Sequence, residues 1–199
     1  MPKVSAEHRT QVRQAITKAA FKNFSKNGYA ITKMDDIAKT ADVSKGTLYL
    51  YFQSKEELFE SLCKSNQQIL IDERSGLFQN KNKIRQDLGL FYDNFLKSLQ
   101  DTQKVRFEAL AESVHNPKLK KIIQKNRKEI ELNVEEFLRG MRKAGFFQNN
   151  VDMNALSSGI ISLFDGLIIS ELVGTNHEDN KKAWIKTMMA IFEGTGLKH

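Results

Sequence analysis

TKMDDIAKTADVSKGTLYLYFQSKEEL, residues 32–58, decides how this chain is read. Two short helix patterns lie in it, each opened by a capping residue. Thr32 stands before a segment over about 33–41. Asp35 falls in its first turn, where a carboxylate suits the positive helix end, and Ile37, Ala38 and Ala41 form its apolar face. Asp42 and Val43 lead to Ser44, the cap of a second segment over about 45–52. A two-turn helix is not stable alone in water, so it must pack on its neighbours, and Val43, Leu48 and Phe52 supply the contacts. Its other face carries Lys45, Gly46, Thr47, Tyr49 and Tyr51. That is the plan of a helix-turn-helix, in which the first helix braces the backbone and the second enters the major groove of DNA. Ser54 and Glu57 form a Ser-x-x-Glu capping box for a further helix carrying Leu58, Phe59 and Leu62 and expected to reach about Ile71.

Each polar residue of this stretch has a physical task on a duplex. Lys45 donates to guanine O6/N7 or to phosphate, and Gly46 lets the backbone come close. Thr47 bonds a base edge and sets its methyl against a thymine methyl. Tyr49 and Tyr51 offer a flat body with a hydroxyl for phosphate or base. Lys55, at the start of the next helix, is placed to reach phosphate, as are Thr32 and Lys33 at the other end. With the capping Ser44, the candidate DNA-binding set is Thr32, Lys33, Ser44, Lys45, Gly46, Thr47, Tyr49, Tyr51 and Lys55.

Val43-Ser-Lys-Gly-Thr-Leu-Tyr-x-Tyr-Phe-x-Ser-Lys-Glu-Glu-Leu58 resembles the signature of the TetR (tetracycline-repressor) family of bacterial and archaeal regulators. Phe24-Ser-Lys-Asn-Gly28-Tyr29, and Thr32 with Ile37-Ala38, are similar to the family's first two helices. The resemblance is strong over about residues 10–62. Beyond it only the layout matches, in helix count, length and the Asp165-Gly166-Leu167 run within an apolar helix. It implies a homodimer that leaves its operator when a small ligand binds. Two positions depart from the pattern: Asp42 stands where the turn usually has Gly, and Leu50 where an aromatic residue or His is common. Asp tolerates positive φ at some cost.

Composition agrees with a globular chain: 199 residues, 40% hydrophobic, 28% charged, and only two prolines, Pro2 and Pro117, so long helices are permitted. The net charge of +7 is uneven. Residues 1–54 hold nine Lys/Arg against four acids, and the remainder 22 against 20, which concentrates positive charge where phosphate contact is expected. The single cysteine, Cys63, sits among Leu58, Phe59 and Leu62 and reads as a structural thiol in a reducing cytoplasm. The polar start, Met1 to Thr10, has no signal-peptide pattern, and the apolar run 160–173, interrupted by Asp165 and Glu171, reads as too short and too charged to span a bilayer. His8, His115, His177 and His199 show no metal-ligand spacing. There is no phosphate loop, nucleophile elbow or carboxylate pair, so neither an enzyme, a metal site nor a cofactor is expected.

Helical periodicity covers the rest. A first helix is expected over about 5–27, capped by Ser5 and stopped by Gly28. A polar stretch at 72–82 reads as a connection. Further helices carry Ile84 to Leu99, Val105 to Val114, 118–144 after Asn116-Pro117, a helix capped by Asp152 that runs to about Val173, and 179–192. The expected fold is all-α, about nine helices, with a DNA-binding helix-turn-helix over 1–53 and a helical ligand-binding and dimerisation part over 54–199. Phe91, Phe95, Phe107, Phe137 and Phe164 are candidates for lining a cavity for a partly apolar effector. Leu163, Leu167, Trp184, Met188 and Ile191, on an apolar and an amphipathic helix, are candidates for a dimer interface. Such a dimer would present two recognition helices to a palindromic operator. The functional reading is a cytoplasmic repressor released by a small molecule. The alternative is a structural nucleic-acid-binding protein with no effector.

Overall fold

The computed structural model describes residues 6–74, 76–99, 102–148 and 150–195. Among them are nine α-helices and no strand: α1 Ala6–Asn27, α2 Met34–Thr40, α3 Lys45–Tyr51, α4 Lys55–Arg74, α5 Ile84–Leu99, α6 Gln103–Glu112, α7 Pro117–Lys143, α8 Met153–Leu172 and α9 His177–Gly194. A 3₁₀ turn, Lys81–Lys83, precedes α5. Ser5 lies outside the described residues. Local chemistry sets most helix ends. Gly28 stops α1 with φ 87°, a left-handed value that suits glycine. Pro117 opens α7 while the Asn116 side chain accepts from Leu119 N–H at 3.0 Å. Asp152 accepts from Asn154 and Ala155 N–H, at 2.9 and 3.2 Å, and so starts α8. The fourth helix runs three residues past the expected Ile71.

The chain forms two compact units, Met1–Asn66 with Asp101–Asn126, and Gln67–Gln100 with Arg127–His199. Packing therefore groups α6 and the first part of α7 with the N-terminal helices, a different grouping from the expected division at residue 53. The core of the first unit is Ile16, Ala20, Phe24, Tyr29, Ile37, Leu48, Phe52, Leu58, Phe59, Val105, Ala109 and Leu119. Leu110 is exposed on α6, and Val114, expected in the same helix, lies exposed beyond its end at Glu112. The backbone N–H of Tyr29 donates to the Glu108 carboxylate of α6 at 2.8 Å, so an acid closes the turn after α1. The same oxygen would lie 2.8 Å from a Cβ added at Gly28, a second reason for glycine there.

In the second unit α5 buries Ile84, Leu88, Phe91, Phe95 and Leu99, the periodicity read from the sequence. The apolar run 160–173 lies within the longer α8. By length and composition this 20-residue helix could cross a bilayer, and 28% of its apolar window is buried. A polar network ties α5 to α8 and α9. His177 bonds Glu171 through Nδ1 and Asp93 through Nε2, both at 3.0 Å. Tyr92 donates to Glu171 at 2.8 Å and Lys181 to Asp93 at 2.6 Å. Burial alone would lower the His177 pKa, but the bond to Asp93 and the charge of Glu171 carry it above the ordinary histidine value.

A raised folded-state pKa stabilises the fold while histidine is protonated, and the contribution is lost as pH rises through that pKa. Thermal melts between pH 6 and pH 9 should show the wild-type chain losing more stability with rising pH than His177→Gln. Parallel curves for the two would contradict the assigned role of the imidazolium.

Candidate nucleic-acid interface

α3 is seven residues long and is held at both ends. The Ser44 hydroxyl accepts from Thr47 N–H at 3.0 Å, as expected of its cap. Before it, Asp42 has φ 53°, the left-handed turn that its place in the sequence suggested, and Val43 N–H donates to Ala38 O at 3.1 Å. Leu48 and Phe52 are fully buried in the core of the first unit. On the far side of Phe52 the Arg13 guanidinium lies 4.3 Å from the ring centroid and donates to Tyr51 O at 3.2 Å. α1 thus grips the end of α3 through a cation–π contact and a hydrogen bond.

The solvent side of α3 carries Lys45, Gly46, Tyr49 and Leu50. Lys45 pairs with Asp35 of α2 at 2.8 Å, and that hydrogen bond raises its pKa. Both partners are more than half exposed, so the pair is weak and readily exchanged for another anion. A Cβ at Gly46 would meet only Ser44 Oγ, at 3.8 Å, so no internal contact demands glycine there. Tyr49 is 40% exposed. Thr47 and Tyr51 are half-buried, and Tyr51 leans on the core cluster. Sequence reasoning missed Leu50, which is 85% exposed. Its spacing of four from Gly46 and three from Thr47 places it on their side of the helix. Ile31, 76% exposed before α2, was missed as well.

Three expectations are corrected. Thr32 is buried and does not cap α2. Its hydroxyl donates to Gly28 O at 2.7 Å and Asn23 O at 3.2 Å, and Lys33, exposed, takes the cap position without a side-chain bond. Glu57 of the capping box reaches Gln53 N–H, at 2.8 Å, rather than that of Ser54. Lys55 does not stand free: Nζ donates to Tyr29 O and Ala30 O, at 2.8 and 2.9 Å, and lies 4.6 Å from the Tyr29 ring centroid. Burial lowers its pKa, against the charges of Glu56 and Glu112. Beneath it the buried Tyr29 hydroxyl has no hydrogen-bond partner among the described residues.

The C-terminal candidates separate too. Phe91 and Phe137 line a cavity of about 70 Å³ in the second unit. Phe95 and Phe164 instead pack with Phe91 and Trp184 in an aromatic cluster, and Phe107 belongs to the first unit. Of the interface candidates, Leu167, Trp184 and Met188 are buried within the unit, and Trp184 donates to Leu88 O at 3.0 Å. They are core. Leu163 and Ile191 are half-buried. Among the described residues no group of three His, Cys, Asp or Glu is placed to hold a metal ion.

Two family models match the chain, one after the other. Residues 16–62 match the model for bacterial regulatory proteins of the tetR family, and residues 85–192 that for the C-terminal part of BetI-type transcriptional repressors. The uncharacterised HTH-type transcriptional regulator YfiR of Bacillus subtilis is 24% identical over 96% of this chain and 98% of its own. UidR of Escherichia coli, an HTH-type transcriptional regulator, is 26% identical over 78% and 79%. Among solved structures, Salmonella enterica GusR superposes with TM-score 0.76 at 20% identity, covering 97% of this chain and 98% of GusR. A transcriptional regulator from Saccharomonospora viridis in complex with choline superposes with TM-score 0.69 at 21% identity, covering 90% and 96%. These structural likenesses speak to the fold.

Lys55→Met removes the donor from two carbonyls and should destabilise the chain by about 1–2 kcal/mol, read as a lower urea midpoint. It should change DNA affinity at matched folded fraction far less than a change on α3. An unchanged midpoint with sharply weakened DNA binding would return Lys55 to phosphate contact.

Proposed function

The chain belongs to the TetR family of DNA-binding transcriptional regulators, and from that premise we propose that it is a cytoplasmic repressor whose dimer leaves its operator when a small molecule enters the second unit. One observation carries the DNA end of this reading. A capped helix with Leu48 and Phe52 locked inward leaves Lys45, Gly46 and Tyr49 outward on one side. We assign base contact to Lys45, Thr47 and Tyr49, close backbone approach to Gly46, and phosphate contact to Lys33 and the Tyr51 hydroxyl. Ser44 acts by holding the helix start. Leu50 joins them as an apolar contact, the kind that meets a thymine methyl. Thr32 and Lys55 serve the fold.

A second copy is proposed to cover the outer faces of α8 and α9. Gly159, Ser162, Gly166 and Ile169 are exposed at helical spacing along α8, with Val173 just past its end, and Ala183, Thr187 and Ala190 along α9. Small residues let helix backbones approach closely, and an apolar stripe on a 20-residue helix needs a partner. Half-buried Leu163 and Ile191 flank that face. The arrangement gives a two-fold dimer and hence a palindromic operator. The effector acts by binding one arrangement of the dimer better than the other, so DNA affinity falls by that difference.

Selection of duplexes from a random pool, followed by binding at fixed salt, tests the operator reading. Thr47→Ala or Tyr49→Ala should cost about 1–3 kcal/mol on the selected site and relax base preference. Equal binding of selected and random DNA, set by salt alone, would instead make this a structural nucleic-acid-binding protein. Sedimentation tests the second copy: Ile169→Asp should convert dimers to monomers that keep their helicity, and a dimer unaffected by this change would place the interface elsewhere.

A further inference from the structure

We propose that Phe78 is the gate of the cavity in the second unit, and that the ligand it admits is an uncharged single aromatic ring with at most a short alkyl group, which takes the place of the Phe78 ring against Phe91 and Phe137. The proposal rests on the effector reading above and names the chemistry and the entry route of that ligand. Among the described residues lining the cavity, all but Phe78 lie on α4, α5, α7, α8 or α9. Phe78 lies on the connection between α4 and the 3₁₀ turn, so it is the part of the wall that moves without disturbing a helix. Its backbone conformation is also costly. Asp42 and Phe78 are the described residues other than glycine with positive φ. Asp42 serves the turn before α3, and its short polar side chain tolerates that conformation. Phe78, at φ 60°, is an aromatic residue held in a strained region. The buried Asp87 carboxylate of α5 holds it there by accepting its N–H at 2.8 Å. Its ring meets Phe91 and Phe137 edge-on, at 6.2 and 5.7 Å. Strain kept at a cavity wall by one hydrogen bond and two ring contacts is the arrangement of a part with a second position.

Size and polarity name the ligand. At about 70 Å³ the closed cavity is about half of one that holds benzene, so a ring cannot enter while Phe78 stays in place. The space that a phenyl ring vacates fits another ring, and the cavity already beside it takes a methyl or ethyl group. No polar atom faces the cavity. Arg74 lines it with its carbon stem, while its guanidinium lies 4.7 Å from the Phe137 ring centroid and reaches Asn133 O at 3.4 Å. A charged or hydrogen-bonding group would lose its water there and find no partner. Swinging outward exposes the Phe78 ring but releases its backbone from the left-handed region, and the incoming ring restores the contacts with Phe91 and Phe137.

Equilibrium and stopped-flow titration with toluene test this on the full chain, read through Trp184, the single tryptophan of the sequence and itself part of the cavity wall. Phenylacetate and benzyltrimethylammonium carry the same ring with a charge. Toluene should bind the wild-type chain, and both charged probes should bind at least about tenfold more weakly. Phe78→Ala should bind toluene about tenfold tighter and speed its association at least about fivefold, with Phe78→Leu between the two. Leu138→Ala enlarges the same cavity from a helix and should leave the association rate within about twofold. A single cooperative melt shows that each variant is folded. Equal acceleration by Leu138→Ala and Phe78→Ala, a charged probe that binds as tightly as toluene, or toluene that binds neither the wild type nor Phe78→Ala would each overturn the proposal. DNA binding measured on the same samples keeps the two readings apart. Toluene that enters through Phe78 without releasing DNA supports this assignment and removes only the release step. A chain that binds its duplex but no toluene loses this assignment alone.

Discussion

A helix of seven residues has almost no stability of its own, because the nucleation cost is spread over too few hydrogen bonds. α3 exists because Leu48 and Phe52 are buried, because Ser44 satisfies the N–H of Thr47, and because Arg13 holds the far end by the Phe52 ring and Tyr51 carbonyl. The same anchoring decides orientation. With Leu48 turned inward, Lys45, Tyr49 and Leu50 have no alternative but solvent. A short helix fixed on one side is thereby a rigid display surface, and rigidity is what base readout needs.

The second unit solves a different problem. Its aromatic cluster of Phe91, Phe95, Phe164 and Trp184 packs beside a cavity of about 70 Å³. The His177 network fastens α5 to α8 and α9, and against burial the bond to Asp93 and the charge of Glu171 hold its imidazole above the ordinary histidine pKa.

Much of this was legible in the sequence. Periodicity located the helices, and the Ser44, Asn116 and Asp152 caps and the Gly28 stop stand where the residue types placed them. What the sequence hid was direction over distance. Thr32 looked like a cap because it precedes a helix, yet its hydroxyl turns back to the end of α1. Lys55 looked like a free cation, yet two carbonyls 25 and 26 residues earlier hold it. Trp184 and Met188 read as interface because their helix is amphipathic, and period alone cannot distinguish the side facing its own unit from the side facing a partner. The Asp93–His177 bond joins positions 84 apart and leaves no local signal at all.

Operator recognition turns on which side of α3 meets the duplex. Backbone amide chemical shifts, followed while a selected operator is added, read this residue by residue. The resonances of Lys45, Gly46, Thr47, Tyr49 and Leu50 should move together and saturate at one duplex per dimer, with those of Phe24 and Ala109 in the core nearly still. Shifts confined to other helices, with α3 silent at saturation, would contradict it.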